Sequence, residues 1–134
     1  MKEIKFKAWD KKLRCMDLLT GFNLVGRKAI QIYYLDEDGD RSTRTGLVED
    51  IELLQYTGIK DKNGVEICEG DIVQIKDHTS QKKPGNPSGI EIEGYYPVSI
   101  TDRMELVAGH WLLWNQRSYI TVVGNIYENL ELLE

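Results

Sequence analysis

Apolar and polar residues alternate one by one along most of this chain, and glycine-centred turns cut the alternation into short pieces. A period of two puts neighbouring side chains on opposite faces of an extended strand, whereas a helix needs a period of 3.6. In EIKFKAW, residues 3–9, Ile4, Phe6 and Ala8 point one way and Lys5, Lys7 and Trp9 the other. That pattern predicts a half-buried strand. Asp10 then opens a polar turn, DKKLR.

The stretch AIQIYYLDEDGDRSTRTGLV predicts a hairpin. Asp38-Gly39 has the chemistry of a two-residue turn, because glycine takes positive φ cheaply and Asp tolerates it. Such a turn places Tyr34 opposite Thr43 and Ile32 opposite Thr45. VEDIELLQY reads as a helical turn running into a strand. Asn63-Gly64 repeats the turn chemistry, Gly70-Asp71 breaks the chain direction, and IVQIK resumes as a strand. DHTSQKKPGNPSG, residues 77–89, is polar with two prolines and predicts a flexible loop. GYYPVSI, MELVA, HWLLW and YITVVGNI follow as strands, and ENLELLE closes as one helical turn. The expected fold class is mainly β, built of short antiparallel strands in a barrel or sandwich.

Three stretches resemble the YopX family of small phage and prophage proteins. They are IKFKAWD at 4–10, QYTGIKDKNGVEICEGDIV at 55–73 and VVGNIYENLELL at 122–133. They span both ends and the middle. The chain departs from the family where Cys68 replaces a usual Tyr and Leu130 a usual Pro. The resemblance implies an N-terminal β region over 1–54, a strand plus a hairpin. That region would pack on a Src-homology-3-like (SH3-like) barrel over 55–134. It implies no catalytic residue.

Chain length and chemistry bound the function. At 134 residues, 41% hydrophobic and 29% charged, the chain has the balance of an ordinary soluble domain. No apolar run approaches the ~20 residues of a membrane span, and MKEIKFKAWD lacks the apolar core of a signal peptide. Cys15 and Cys68 lack the close spacing of a metal or redox pair, so both read as small apolar residues in a reducing cytosol. A net charge of −5 argues against general phosphate-backbone binding.

Asp61, Glu66, Glu69 and Asp71 lie among glycines and invite a cation site or a carboxylate hydrolase. The favoured reading is structural: Gly58, Asn63, Gly64, Gly70 and Asp71 shape turns, while Glu66 and Glu69 are solvated. DEDGD at 36–40 superficially looks like a calcium loop. Counting from Asp36, however, Gly39 falls two positions early, and Leu47 occupies the twelfth position, where a bidentate Glu is required. His78 and His110 have no nearby motif partner. Lys76, Lys82 and Lys83 form a basic cluster that could touch nucleic acid, but stacking aromatics do not interleave with it.

In HWLLW as a strand, Trp111 and Leu113 share a face, and both faces are mostly apolar, as in IQIYYL around Tyr33. Such strands need a second cover, either from the same chain or from another subunit. The resulting expectation is a non-enzymatic accessory β scaffold that binds a host or phage protein or forms a homo-oligomer, with no cofactor and no metal. The alternatives are a nucleic-acid-binding small barrel using the Lys82–Lys83 loop, and a metal-dependent hydrolase using Asp61, Glu69 and Asp71.

Overall fold

The computed structural model describes residues 5–134. Ile4, placed above on the same side of the first strand as Phe6 and Ala8, lies outside them. The chain divides into two compact units, residues 1–56 and 57–134.

The first unit is one antiparallel sheet. Its strands are β1 (Phe6–Asp10), β2 (Cys15–Val25), β3 (Ala29–Leu35), β4 (Arg41–Leu47) and the first half of β5 (Ile51–Lys60). Their order is β4-β3-β2-β1-β5. The expected helical turn before β5 is a 3-10 turn, Val48–Asp50. Ala8, Ile30, Ile32 and Ile51 form the core, flanked by Leu19, Phe22, Tyr34 and Leu53. Alternation in β1 holds, but Trp9 is buried as well as Ala8, so this strand is covered on both faces rather than one.

The β3–β4 hairpin forms one register step away from expectation: Tyr34 faces Ser42 and Ile32 faces Arg44. The cause is a three-residue loop in place of a two-residue one. Asp36 N–H donates to Asp40 O and Gly39 N–H to Asp36 O. Gly39 takes φ +81°, as in a type I turn closed by a left-handed residue. The Asp36 carboxylate tips the choice by accepting the N–H groups of Asp38 and Asp40, both at 2.9 Å.

The second unit begins with the other half of β5, which neighbours β6 (Glu66–Cys68). A second sheet has the order β10-β9-β8-β7-β11. Its strands are β7 (Asp71–Ile75), β8 (Gly94–Ile100), β9 (Leu106–Ala108), β10 (Trp111–Leu112) and β11 (Ile120–Asn125). Ile72 and Val73 are fully buried, as the apolar run predicts. Val73 belongs to the core of this unit with Ile59, Ile67, Ile75, Ile92, Val98, Leu113 and Ile120. The C-terminal helical turn is Leu130–Leu133.

Three expectations change here. Neither sheet closes on itself among the described residues, so the fold is two open antiparallel sheets. Gly58 has φ +81° but lies inside β5, not in a turn. The neighbouring Thr57 hydroxyl accepts the Ile59 N–H at 3.1 Å and donates to Ile67 O at 2.8 Å, bonding the backbone on the far side of Gly58. HWLLW is a strand only at Trp111–Leu112: after β10 the chain turns into helix α1 (Leu113–Gln116). Residues 77–89 lie between strands, as expected, and carry hydrogen bonds along their length. Gln81 bridges Ile90, Lys83 and Asn86 close the tip, and the Gln81 carboxamide accepts the N–H groups of Ile92 and Glu93.

Candidate functional site

The carboxylates flagged as possible catalytic or metal groups hold backbone in place. Asp61 is buried. Its Oδ1 accepts the N–H groups of Asn63 and Val65, both at 2.9 Å, and its Oδ2 accepts Val122 N–H at 2.9 Å. Gly64 N–H donates to Asp61 O, and Gly64 has φ +84°. This is the same turn as at Asp36. It recurs at TDRME, where the Thr101 hydroxyl accepts Arg103 and Glu105 N–H and Met104 stands at the left-handed position with φ +64°. Asp71 Oδ2 accepts Cys68 N–H at 2.8 Å, closing the turn that contains Gly70 at φ +86°. Glu66 and Glu69 are half-buried rather than fully solvated. Asp36, Asp38 and Asp40 bring carboxylate oxygens within 4.8 Å of one another as a by-product of their turn.

Sequence reasoning missed a charged cluster in the first unit. The Arg44 guanidinium lies 2.6 Å from Asp17 Oδ2 and 3.2 Å from Asp10 Oδ2, and it sits over the Tyr34 ring at 5.0 Å. Asp10 is buried, and its other oxygen accepts the N–H groups of Lys12 and Leu13. Burial alone would lower the Arg44 pKa. Hydrogen bonds to Asp17 and Tyr34, with the Asp17 charge, hold it above the ordinary value. Cys15 belongs to this cluster and is not a plain apolar residue, since its sulfur lies 3.4 Å from Arg44. Burial and then the Asp17 charge raise its thiol pKa above the ordinary 9.0, against the opposing pull of Arg44. A thiol raised in this way stays protonated and is a poor nucleophile. The one-step register error hid the cluster by assigning Thr45, not Arg44, to the inward position opposite Ile32.

The two histidines differ. His78 is buried. Its Nδ1 accepts Ser80 N–H at 3.0 Å, so in the neutral ring Nε2 carries the proton donated to Gln116 Oε1 at 2.8 Å. Its ring packs on Tyr119 at 4.2 Å. The base of the 77–89 segment is thereby pinned to the last residue of α1 and to the turn after it. His110 is exposed and lies against the Trp111 ring. Lys76, Lys82 and Lys83 are exposed. Glu91 and Glu93 bond the same segment, through Gln81 and the His78 backbone, and dilute its positive charge.

Of the expected interface residues, Leu113 is fully buried in the core of its own unit and cannot meet a partner. The helical break in HWLLW turned it inward. Trp111 is half-buried, and its Nε1 has no hydrogen-bond partner among the described residues. Trp114, one residue after Leu113, is the exposed aromatic, with Arg117 stacked 3.6 Å from its ring centre. Tyr33 lines a cleft of about 480 Å³ together with Thr20, Gly21, Arg41, Ser42 and Thr43.

Comparison with known proteins places the chain. The family model described as YopX protein matches residues 5–134. Among solved structures, the chain is similar to the crystal structure of protein EF1440 from Enterococcus faecalis. That likeness has 26% sequence identity and a TM-score of 0.64, and it covers 100% of both chains. No curated protein matches. With the family model covering nearly its whole length, the chain belongs to the YopX family.

Proposed function

We propose that this is a phage- or prophage-encoded accessory protein that works as a non-enzymatic β scaffold, binding a host or phage protein or a second copy of itself in the cytoplasm. The observation that carries this reading is the free edge of the first unit. β4 ends the strand order and pairs only with β3 among the described residues. Asp36 N–H donates to Asp40 O. By alternation, even-numbered residues of β4 bond inward, and Thr43 and Thr45 turn their N–H groups outward. Leu47 on this edge is exposed, as are Leu18, Leu24 and Val25 of β2 and the nearby Val48. An unpaired strand is a template for strand addition, and Leu47 and Val48 add exposed apolar surface at its end. Each Leu or Val covered by a partner contributes about 1.5–3 kcal/mol.

In the second unit, the β7-β8-β9-β10 meander, the short helix and the return of β11 to β7 support a likeness to an open SH3-like barrel. Small barrels of that kind serve many binding roles. The engagement of Asp61 and Asp71 with backbone N–H groups supports a scaffold over a carboxylate hydrolase.

Sedimentation equilibrium across micromolar concentrations, with pull-down from the bacterial host, tests the reading. Association or a captured partner that is lost in Thr45→Pro supports it, since proline removes an outward N–H without touching the β3 ladder. A single species at the chain mass of 15.4 kDa, with no captured protein dependent on β4, refutes it.

A further inference from the structure

The cleft beside Tyr33 has features that the scaffold reading does not use. β2 carries a bulge between Leu19 and Gly21: Leu19 faces Tyr34, Gly21 faces Tyr33, and Thr20 is the extra residue. Bulges bend a strand and re-aim its side chains. Here the bulge sets Gly21 beside the Tyr33 ring. A Cβ at Gly21 would meet Tyr33 Cδ2 at 3.9 Å and no other atom within 4 Å among the described residues. The missing side chain therefore leaves one side of the phenol open.

The Tyr33 ring is held by its tip. Asn23 Nδ2 donates to the hydroxyl at 2.9 Å, and the hydroxyl donates to Gln31 Oε1 at 3.1 Å. Gln31 Nε2 in turn donates to Thr43 Oγ1 at 3.3 Å. The ring is thus a preformed platform with little side-chain freedom left to lose on binding. Arg41 also lines the cleft and is the one charged residue among those that do. Arg41 is exposed and makes no ion pair among the described residues, in contrast to Arg44, which is held by two carboxylates. Thr20 and Thr43 add hydroxyl groups to the lining.

From this geometry we infer that the Tyr33 cleft binds a nucleoside monophosphate, with the base on the Tyr33 ring and the phosphate on Arg41. Stacking on an aromatic face accepts any base, because every base has a π-face. A guanidinium forks onto two phosphate oxygens. The hydroxyl groups of Thr20 and Thr43 meet the sugar. At about 480 Å³ the cleft lies within the usual range for small-molecule sites, about 300–1,000 Å³.

The test is titration of the full chain, followed by amide NMR shifts. The ligands are a purine nucleoside monophosphate, its nucleoside, ribose 5-phosphate and inorganic phosphate. The monophosphate should shift Gly21, Tyr33 and Thr43 and bind at least about tenfold tighter than each of the other three, about 1.4 kcal/mol. Arg41→Gln and Tyr33→Leu should each weaken it about tenfold. Gly21→Val covers the ring without straining the backbone, because φ at Gly21 is not left-handed. That variant should keep the wild-type melting temperature and lose binding. Three results would overturn the inference: no binding of the monophosphate, inorganic phosphate binding as tightly as the nucleotide, or nucleotide binding that persists in folded Gly21→Val.

Discussion

Asp61 decides between a reactive carboxylate and a structural one, and its geometry gives a number to test. Three backbone N–H groups converge on its two oxygens, each at 2.9 Å. Asn63 and Val65 are exposed, so water replaces much of what their N–H groups would lose, about 0.5–1 kcal/mol each. Val122 lies in β11 and is half-buried, so its N–H left unpaired costs about 1–3 kcal/mol. Asp61→Ala should therefore lose about 2–5 kcal/mol, a large share of the roughly 5–15 kcal/mol that holds a domain of this size. Asp61→Asn keeps an acceptor for the two turn N–H groups but can set its own NH₂ against Val122 N–H, and should lose about 1–3 kcal/mol. Urea unfolding measures both, read as a lower midpoint at unchanged slope. If Asp61→Asn unfolds at the wild-type midpoint, the carboxylate does not hold β11, and the case for a cation or hydrolytic role reopens.

Three further perturbations have signs fixed by the structure. Met104 is 80% exposed at φ +64°, so Met104→Gly gives up little packing. It relieves about 1–2 kcal/mol of left-handed strain against about 0.5–1 kcal/mol of added chain entropy, and the melting temperature should rise by a few degrees. Gly70 has φ +86°, and a Cβ there would lie 3.1 Å from Tyr127 Cε2. Gly70→Val should cost about 2–4 kcal/mol in thermal melts while leaving β4-dependent association intact once folded. Burial raises the Cys15 thiol above 9.0 in the folded chain, so the unfolded chain ionises first. The stability this contributes is full below pH 9.0 and lost as pH rises through the higher folded value. The difference in melting temperature between wild type and Cys15→Ala should therefore change only on the alkaline side, and iodoacetamide should label Cys15 slowly at about pH 8.

Most strands were readable because alternation and turn chemistry agree there. Val73 and Ile75 alternate with Gln74, and Gly64 and Gly70 punctuate where the chain turns. Local chemistry could not count the residues in a turn. The Asp36 carboxylate accepts two N–H groups and selects a three-residue loop. That single step moved Arg44 inward, where it meets Asp10 and Asp17 from two other strands. No local pattern in TRTGL announces that meeting. HWLLW failed for a different reason. Five residues suit a strand or a helical turn, and the choice fell to the core, which takes Leu113 and leaves Trp114 outside. The Tyr33 cleft depends on a bulge, and TGF in the sequence marks a glycine without saying which strand opposes it.

The pairing of β7 with β11 bears on how the chain reaches this state during synthesis. Ile75 lies opposite Ile120 and Val73 opposite Val122, nearly fifty residues later in the sequence. A nascent chain that has emerged only as far as β10 presents one side of β7 unpaired, with Val73 and Ile75 lacking part of their cover. The second unit can complete its ladder only when its last strand leaves the ribosome. Loops of that length close slowly compared with a hairpin. In that interval the bare side of β7 is open to wrong pairing, and a stop codon before Ile120 would make the interval permanent.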